Sequence, residues 1–133
     1  MEMMRQMMRL VVTDGTGSKA QANGYRVGGK TGSAEKAQGR GYNKKSLISS
    51  FAGIFPVDNP QYVVIAVMDE PKGTKETWGY ATAGWTAAPI VGKVVSEIGP
   101  LLNVPARYDE TLEATRRNLR INTEEGGRRL ASF

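Results

Sequence analysis

Apolar residues recur at helical spacing in two segments of the chain. The first covers residues 2–12 and predicts a short amphipathic helix. The second predicts a longer helix, with Thr86 as its N-cap and Pro89 in the first turn, where proline is tolerated. We expect the Gly99-Pro100 pair to end or bend it. The apolar stripe of this second helix consists of Ala87, Ile90, Val91, Val94, Val95 and Ile98.

Three segments between these helices have the composition of β-strands, namely residues 25–37, 47–57 and 62–68. The first two are separated by a polar, glycine-containing segment, residues 38–45, which predicts a loop. The second and third are separated by the turn-forming residues 57–61. Because the third segment is nearly all apolar, we expect its strand to be buried on both faces.

The short connection between the second and third strands determines their direction. A turn of about five residues cannot make a parallel crossover, which needs a dozen or more residues. The two strands therefore form an antiparallel hairpin, and the fold class is α+β, with an antiparallel sheet of about three strands flanked by an N-terminal and a C-terminal helix. We expect residues 1–105 to form the folded part and residues 106–133 a charged tail, with at most one short helix near 109–120.

Composition limits the chemistry that this chain can perform. It is 40% hydrophobic and 23% charged, which is typical of a globular domain. It contains neither cysteine nor histidine, so no metal site and no cofactor are predicted, and any catalysis depends on lysine, carboxylates, hydroxyls or backbone amides. The net charge of +5 is dispersed, so no nucleic-acid partner is predicted. Neither a membrane segment nor a signal peptide is recognisable.

The sequence GYRVGGKT, residues 24–31, matches the phosphate-binding P-loop pattern, which makes a nucleotide-binding protein one alternative. A P-loop lies between a buried strand and the N-terminus of a helix. Here the preceding residues 17–23 are polar, and no apolar helical stripe follows Thr31. This context favours a strand over a P-loop.

Two further motifs are also best explained as coincidences. Residues 15–20 fit a loose dinucleotide-binding pattern, but no βαβ unit follows them. Ser33 and Lys36 fit S-x-x-K, the nucleophile motif of serine transpeptidases, which requires both residues on one face of a helix. On a strand the two side chains point to opposite faces, so Ser33 is not predicted to be a nucleophile.

The remaining motif, Lys30-Thr31-Gly32-Ser33, lies within a longer recognisable pattern. Residues 24–36 closely resemble the third active-site motif of class B penicillin-binding proteins. The resemblance continues in order through Tyr42 and covers about residues 4–105; it is strongest to the cell-division branch. The further segments that share it are residues 11–20, 49–56, 59–60, 69–71 and 88–89.

This resemblance implies a partial β-lactamase/transpeptidase-like fold and a role in peptidoglycan cross-linking. In the family, a serine attacks the D-Ala-D-Ala end of a stem peptide, and β-lactams mimic that peptide. Carried over by position, Lys30 supplies positive charge, and the hydroxyls of Thr31 and Ser33 bind the substrate carboxylate. Gly32 lets the ligand approach the strand edge closely, and the Ser33 amide completes the oxyanion hole. Tyr42, with Trp78 and Tyr80, would line the cleft.

The chain departs from the family pattern in what it lacks. Its only S-x-x-K lies on the predicted strand, and it contains no S-x-N motif. We therefore expect it to be inactive alone, to be part of a longer enzyme, and to dimerise or exchange strands or helices with a second copy. The resemblance implies a parent anchored in the cytoplasmic membrane, with its transpeptidase domain in the periplasm and other cell-division proteins as partners. A non-catalytic interaction module is the other alternative.

Overall fold

The computed structural model describes residues 1–39 and 41–107, apart from the side chains of residues 38 and 42–45. The predicted helix near residues 109–120 lies outside the described residues. The elements in chain order are α1 (Glu2–Thr13), a 3-10 turn (Ser18–Ala20), β1 (Gly28–Gln38), β2 (Gly41–Phe55), β3 (Tyr62–Asp69) and α2 (Ala87–Leu101). The three strands form one sheet in the order β1-β2-β3, and both neighbouring pairs are antiparallel. The predicted α+β class and the antiparallel hairpin are confirmed.

The prediction of a loop over residues 38–45 was wrong. β1 runs to Gln38 and β2 begins at Gly41, so the hairpin turns within two residues. Gly39 adopts a positive φ of 61°, which lets the chain reverse without the steric cost that a side chain would add. A register shift between Glu35 and Lys36 accommodates the extra residues of β2. Polar composition therefore indicated a loop where residues 38 and 41–43 pair as strand and residues 44–45 lie in the register shift.

The two faces of the sheet differ in what covers them. Phe51 and Phe55 of β2 are fully buried on the face that we call the inner face. Helix α2 packs on this face, where Val91 lies close to Gly53. The opposite, outer face presents the alternate residues of each strand. Because partners in the register share a face, Lys30 of β1 and Ile65 of β3 lie on the outer face with Ala52 between them.

The expectation that β3 is buried on both faces was wrong. Its residues alternate between partly buried and exposed, and Val63, Ile65 and Val67 are 66%, 64% and 63% exposed. A strand with apolar residues on both faces can be buried on both or on only one, and apolar composition does not distinguish the two cases. In the described part of the chain, one face of β3 is exposed. These three valine and isoleucine side chains form an apolar stripe on the outer face.

Helix α2 begins where predicted, but not by the predicted means. Thr86 makes no side-chain capping bond, because its hydroxyl donates instead to the carbonyl of Thr82, 3.0 Å away. Ile90, predicted to lie in the apolar stripe, is 41% exposed, whereas Val91 and Val95 are fully buried. Pro100 lies in the last turn, one residue before the helix ends at Leu101. Among the described residues, neither helix is long and apolar enough to cross a bilayer.

Phe51 brings β1 and the turn after α1 close together. A Cβ added to Gly29 would lie 2.5 Å from the Phe51 ring and 2.6 Å from the Ala52 carbonyl oxygen. A Cβ added to Gly17, in the turn, would lie 2.9 Å from the same ring. Both glycines therefore allow the backbone to lie directly against the phenylalanine. On the other side of the turn, the buried Arg9 of α1 donates to the Val27 carbonyl at 2.6 Å and fastens the helix to the chain entering β1.

Substituting Gly29 tests this close packing. We expect Gly29→Ala to lower the free energy of unfolding by about 2 kcal/mol, because the added methyl group clashes with Phe51 and with backbone. Gly41→Ala is the matched control, since no atom lies within 4 Å of the added Cβ. Urea denaturation followed by circular dichroism measures both. Equal stability of the two variants would contradict the packing described here.

Candidate functional site

The side chains of the K-T-G-S segment alternate between the two faces of β1. Thr31 pairs with Phe51 and Ser33 with Ser49, so both hydroxyls lie on the inner face. Lys30 pairs with Ala52 and lies on the outer face, where it is exposed and its ammonium donates to the Thr31 carbonyl at 3.0 Å. The segment thus presents its hydroxyls on one face and its positive charge on the other.

The backbone amides of Thr31 and Ser33 have a defined direction in the sheet. The amide of Glu70 donates to the Leu47 carbonyl at 2.8 Å, so the odd-numbered residues of β2 bond to β3. Alternate residues of an antiparallel strand bond to opposite neighbours, so the even-numbered residues of β2 bond to β1. Given the register, the amides of Thr31 and Ser33 point away from β2. Among the described residues β1 is an edge strand, and these amides face its unpaired side.

Two serines of the sheet form hydrogen bonds with the segment that precedes α2. The Ser33 hydroxyl accepts a hydrogen bond from the Ala83 amide at 3.1 Å. The Ser49 hydroxyl, fully buried, donates to the Ala81 carbonyl at 2.7 Å. Since Ser33 and Ser49 are register partners, they hold residues 81–83 beside the inner face of β1 and β2. Ser33 therefore fixes the neighbouring wall of the site as well as forming part of the strand.

A cavity of about 580 Å³ lies between this segment, β1 and the turn after α1. On its floor the hydroxyls of Thr16 and Thr31 are hydrogen-bonded to each other at 3.0 Å. At its side the Lys19 ammonium lies 4.4 Å from the centre of the Trp85 ring, which stacks on Tyr80. The residues lining the cavity are Gly15, Thr16, Ser18, Lys19, Thr31, Ser33, Thr82, Ala83, Gly84 and Trp85.

Thr16, Lys19 and Trp85 were not predicted as site residues from the sequence. Residues 15–17 were interpreted only as a turn, and nothing in their spacing indicates contact with residues fifteen positions later. A weak signal was available, because two glycines flanking a threonine allow the backbone to approach a neighbouring strand closely. The contact itself arises only when the turn packs on Phe51.

The predicted cleft aromatics are distributed differently. Tyr42 pairs with Ala37 through its backbone, and its side chain lies outside the described residues, so its role stays a prediction. Tyr80 reaches the cavity only indirectly, through its stacking on Trp85. Trp78 is 81% exposed, and it does not line the cavity. Of the two aromatics whose side chains are described, Tyr80 stacks on a cavity residue and Trp78 does not line the cavity.

Neither the P-loop pattern nor the S-x-x-K pattern has the geometry that its chemistry needs. Residues 28–38 continue as β1, so no helix N-terminus follows Gly29-Lys30-Thr31 to bind a phosphate. Lys36 bonds to Glu70 at 3.1 Å and forms an ion pair with Asp69, whereas the Ser33 hydroxyl bonds to Ala83. Hydrogen bonds to these two carboxylates raise the pKa of Lys36 above its ordinary value, so the ammonium keeps its proton and cannot accept one from a serine. Lys36 therefore does not activate Ser33.

Comparison with known proteins gives a consistent result. Residues 1–95 match the family model of the penicillin binding protein transpeptidase domain. The chain is 44% identical over 101 residues to the probable peptidoglycan D,D-transpeptidase FtsI of Caulobacter vibrioides, covering 71% of this chain and 17% of that protein. It is 42% identical over 106 residues to stage V sporulation protein D of Bacillus subtilis, covering 80% of this chain and 16% of that protein.

Solved structures show the same relationship at the level of the fold. The apo transpeptidase domain of penicillin-binding protein 3 from Burkholderia pseudomallei superposes with a TM-score of 0.66 at 39% identity, covering 80% of this chain and 30% of that one. Penicillin binding protein 3 from Mycobacterium tuberculosis, complexed with ampicillin, gives a TM-score of 0.66 at 33% identity, covering 79% and 24%. The predicted partial transpeptidase-like fold is confirmed. The chain spans about a sixth of the length of the curated relatives given above.

The bond between Ser33 and Ala83 gives a testable consequence. Ser33→Ala leaves the buried Ala83 amide without its acceptor, which we expect to cost about 1 to 3 kcal/mol and to speed hydrogen exchange at that amide. Ser96→Ala is the control, because the Ser96 hydroxyl bonds to Gly92 within its own helix. Exchange is followed residue by residue by NMR. An unchanged rate at Ala83 in Ser33→Ala would show that the serine does not hold this segment.

Proposed function

The chain belongs to the penicillin-binding protein transpeptidase family, in its class B branch, and on that premise we propose that β1 is the substrate-binding strand of a peptidoglycan D,D-transpeptidase. The reaction is acyl transfer. A serine attacks the penultimate D-Ala of a stem peptide, the terminal D-Ala leaves, and the acyl group passes to an amine of a second stem. The observation that supports this role most directly is the K-T-G-S segment on an edge strand with its Thr31 and Ser33 amides unpaired by the sheet.

An edge strand with outward amides suits a peptide substrate. An extended peptide end can lie along such an edge and accept the hydrogen bonds that the sheet leaves open. In this proposal the Ser33 amide donates to the carbonyl oxygen that becomes negatively charged during acyl transfer. The hydroxyls of Thr31 and Ser33 bind the terminal carboxylate. Gly32 has no side chain to obstruct the peptide as it approaches the strand.

Lys30 acts from the other face of the same strand. Its ammonium lies on the outer face, opposite the two hydroxyls, so it can reach a nucleophile or a substrate group that approaches from that side. The positive charge of this side chain stabilises negative charge developing near the strand edge. We propose that Lys30 contributes charge and does not itself transfer the acyl group.

This chain does not contain the motifs that perform the covalent step in the family. The family's S-x-N motif does not occur in it, and the only S-x-x-K is Ser33 to Lys36 on β1. Both side chains are engaged elsewhere, Ser33 with Ala83 and Lys36 with Asp69 and Glu70. We propose that this chain alone forms no acyl-enzyme and that the nucleophile belongs to a part of the enzyme outside it.

The ligand class follows from the same reasoning. A related protein, penicillin binding protein 3 of Mycobacterium tuberculosis, has been solved in complex with ampicillin, which supports β-lactams as ligands of the whole enzyme. We propose stem peptides ending in D-Ala-D-Ala as its substrates. We further propose that the whole enzyme is anchored in the cytoplasmic membrane with its transpeptidase domain in the periplasm, where it acts with other cell-division proteins.

Treatment with a fluorescent penicillin tests the missing nucleophile. We expect no covalent labelling of the isolated chain, because the hydroxyl of Ser33 is bonded to Ala83 and Lys36 is paired with Asp69 and Glu70. An acylated band that survives denaturing electrophoresis would contradict this. The upstream coding sequence provides the complementary test. An S-x-x-K at the start of a predicted helix, followed by S-x-N, is expected there, and its absence would favour the non-catalytic module.

Self-association is the second part of the proposal. The outer-face stripe of Val63, Ile65 and Val67 is about two-thirds exposed at each position and lies on the edge strand β3. Exposed apolar residues on an edge strand promote pairing with another chain. We propose that the isolated chain forms a dimer through this stripe.

Analytical ultracentrifugation tests this proposal. We expect the chain to sediment as a dimer and Ile65→Lys to shift it towards monomer, since a lysine in the stripe would have to be desolvated at the interface. Ile90→Lys on α2 is the control, since it makes the same substitution at an exposed apolar residue away from the stripe. A monomeric wild-type chain, or an Ile65→Lys variant that dimerises as well as the wild type, would contradict the proposal.

A further inference from the structure

The positive charge that lines the same cavity as Thr31 and Ser33 is that of Lys19. Among the described residues that line the inner-face cavity, Lys19 is the one charged side chain, and no carboxylate lines the cavity with it. Lys30 lies on the opposite face of β1. We propose that Thr16 and Lys19 extend the substrate-binding site. Thr16 is a positioning residue for the Thr31 hydroxyl, and Lys19 binds the terminal carboxylate of the peptide from the inner face. This inference rests on the function proposed above.

Thr16 acts through the direction of one hydrogen bond. Each threonine hydroxyl has a single proton to donate, and in the pair Thr16–Thr31, 3.0 Å apart, either oxygen can be the donor. A carboxylate can only accept, so Thr31 must give its proton to the ligand when it binds one. Thr16 must then donate to Thr31. The pair therefore holds the Thr31 oxygen in place and leaves its proton available to the substrate.

Lys19 is placed by its packing on an aromatic ring. Its ammonium lies 4.4 Å from the centre of Trp85, and Trp85 is itself supported by the stacked ring of Tyr80, 5.9 Å away. A cation–π contact at a partly exposed site is weak compared with a charge-assisted hydrogen bond to a carboxylate. Lys19 can therefore transfer its ammonium from the ring face to a bound carboxylate while its aliphatic chain stays against Trp85.

The experiment is an NMR titration of the full isotope-labelled chain with diacetyl-L-Lys-D-Ala-D-Ala and with the same peptide ending in a carboxamide. We expect the carboxylate peptide to shift the Thr31 and Ser33 amides and the carboxamide to bind more weakly. Lys19→Met is expected to weaken binding of the carboxylate peptide about fivefold and to leave carboxamide binding unchanged. Lys93→Met, which removes an exposed charge from α2, is the matched control and binds as the wild type does.

The hydroxyl pair is tested in the same titration. Thr16→Val is expected to weaken carboxylate binding about fivefold, whereas Thr16→Ser keeps a hydroxyl and restores it. In a Thr31→Val background, Thr16→Val should have no further effect, because the proton it orients is gone. Rescue by serine and loss of the effect in the double variant distinguish positioning from general damage to the fold.

The outcomes separate this inference from the function on which it rests. If Thr31→Val weakens binding of the carboxylate peptide while Lys19→Met and Thr16→Val bind it as the wild type does, the inference is overturned and the proposed function stands. If the carboxylate peptide leaves the Thr31 and Ser33 amides unshifted in the wild-type chain, the proposed substrate-binding strand is overturned, and the inference with it.

Discussion

The packing of Phe51 against two glycines is the constraint on which the rest of the site depends. The ring occupies the space that a side chain at Gly17 or Gly29 would need, so the turn after α1 and the first residues of β1 both lie directly on it. Interiors are close-packed, and a displacement of either backbone would open a void or a clash. The distance between Thr16 and Thr31 is therefore set by a side chain that does not line the cavity.

The same residues would do different chemistry in another backbone. Gly-Lys-Thr at the start of a helix binds phosphate, because the helix directs several amides at one point. In β1 the amides alternate instead, so every second one faces the unpaired edge and can bond an extended ligand. The alternation also separates Lys30 from Thr31, which places the lysine charge on one face of the strand and the threonine hydroxyl on the other. Strand geometry, more than residue identity, makes this segment suitable for a peptide end.

The two faces of the sheet differ in burial: the inner face packs in the core, and the outer face is exposed. On the inner face, Phe51, Phe55, Val91 and Val95 are fully buried and supply the apolar area that holds the described part of the chain together. On the outer face, the stripe centred on Ile65 lies open. This chain covers 30% of the structural relative from Burkholderia pseudomallei, so that relative is more than three times as long as the aligned segment. The described part of the chain is thus well packed on one side and open on the other.

The sequence by itself determined the class of the fold, the antiparallel direction of the strands and the identity of the K-T-G strand. These depend on local spacing, on the length of one turn and on a recognisable motif, all of which can be read along the chain. Tertiary structure decided which face of β3 is covered, that residues 41–43 pair with the end of β1, and that Thr16, Lys19 and Trp85 line one cavity with Thr31. The cavity joins residues far apart in sequence, and its Thr16–Thr31 contact forms where the turn and the strand both pack on the Phe51 ring.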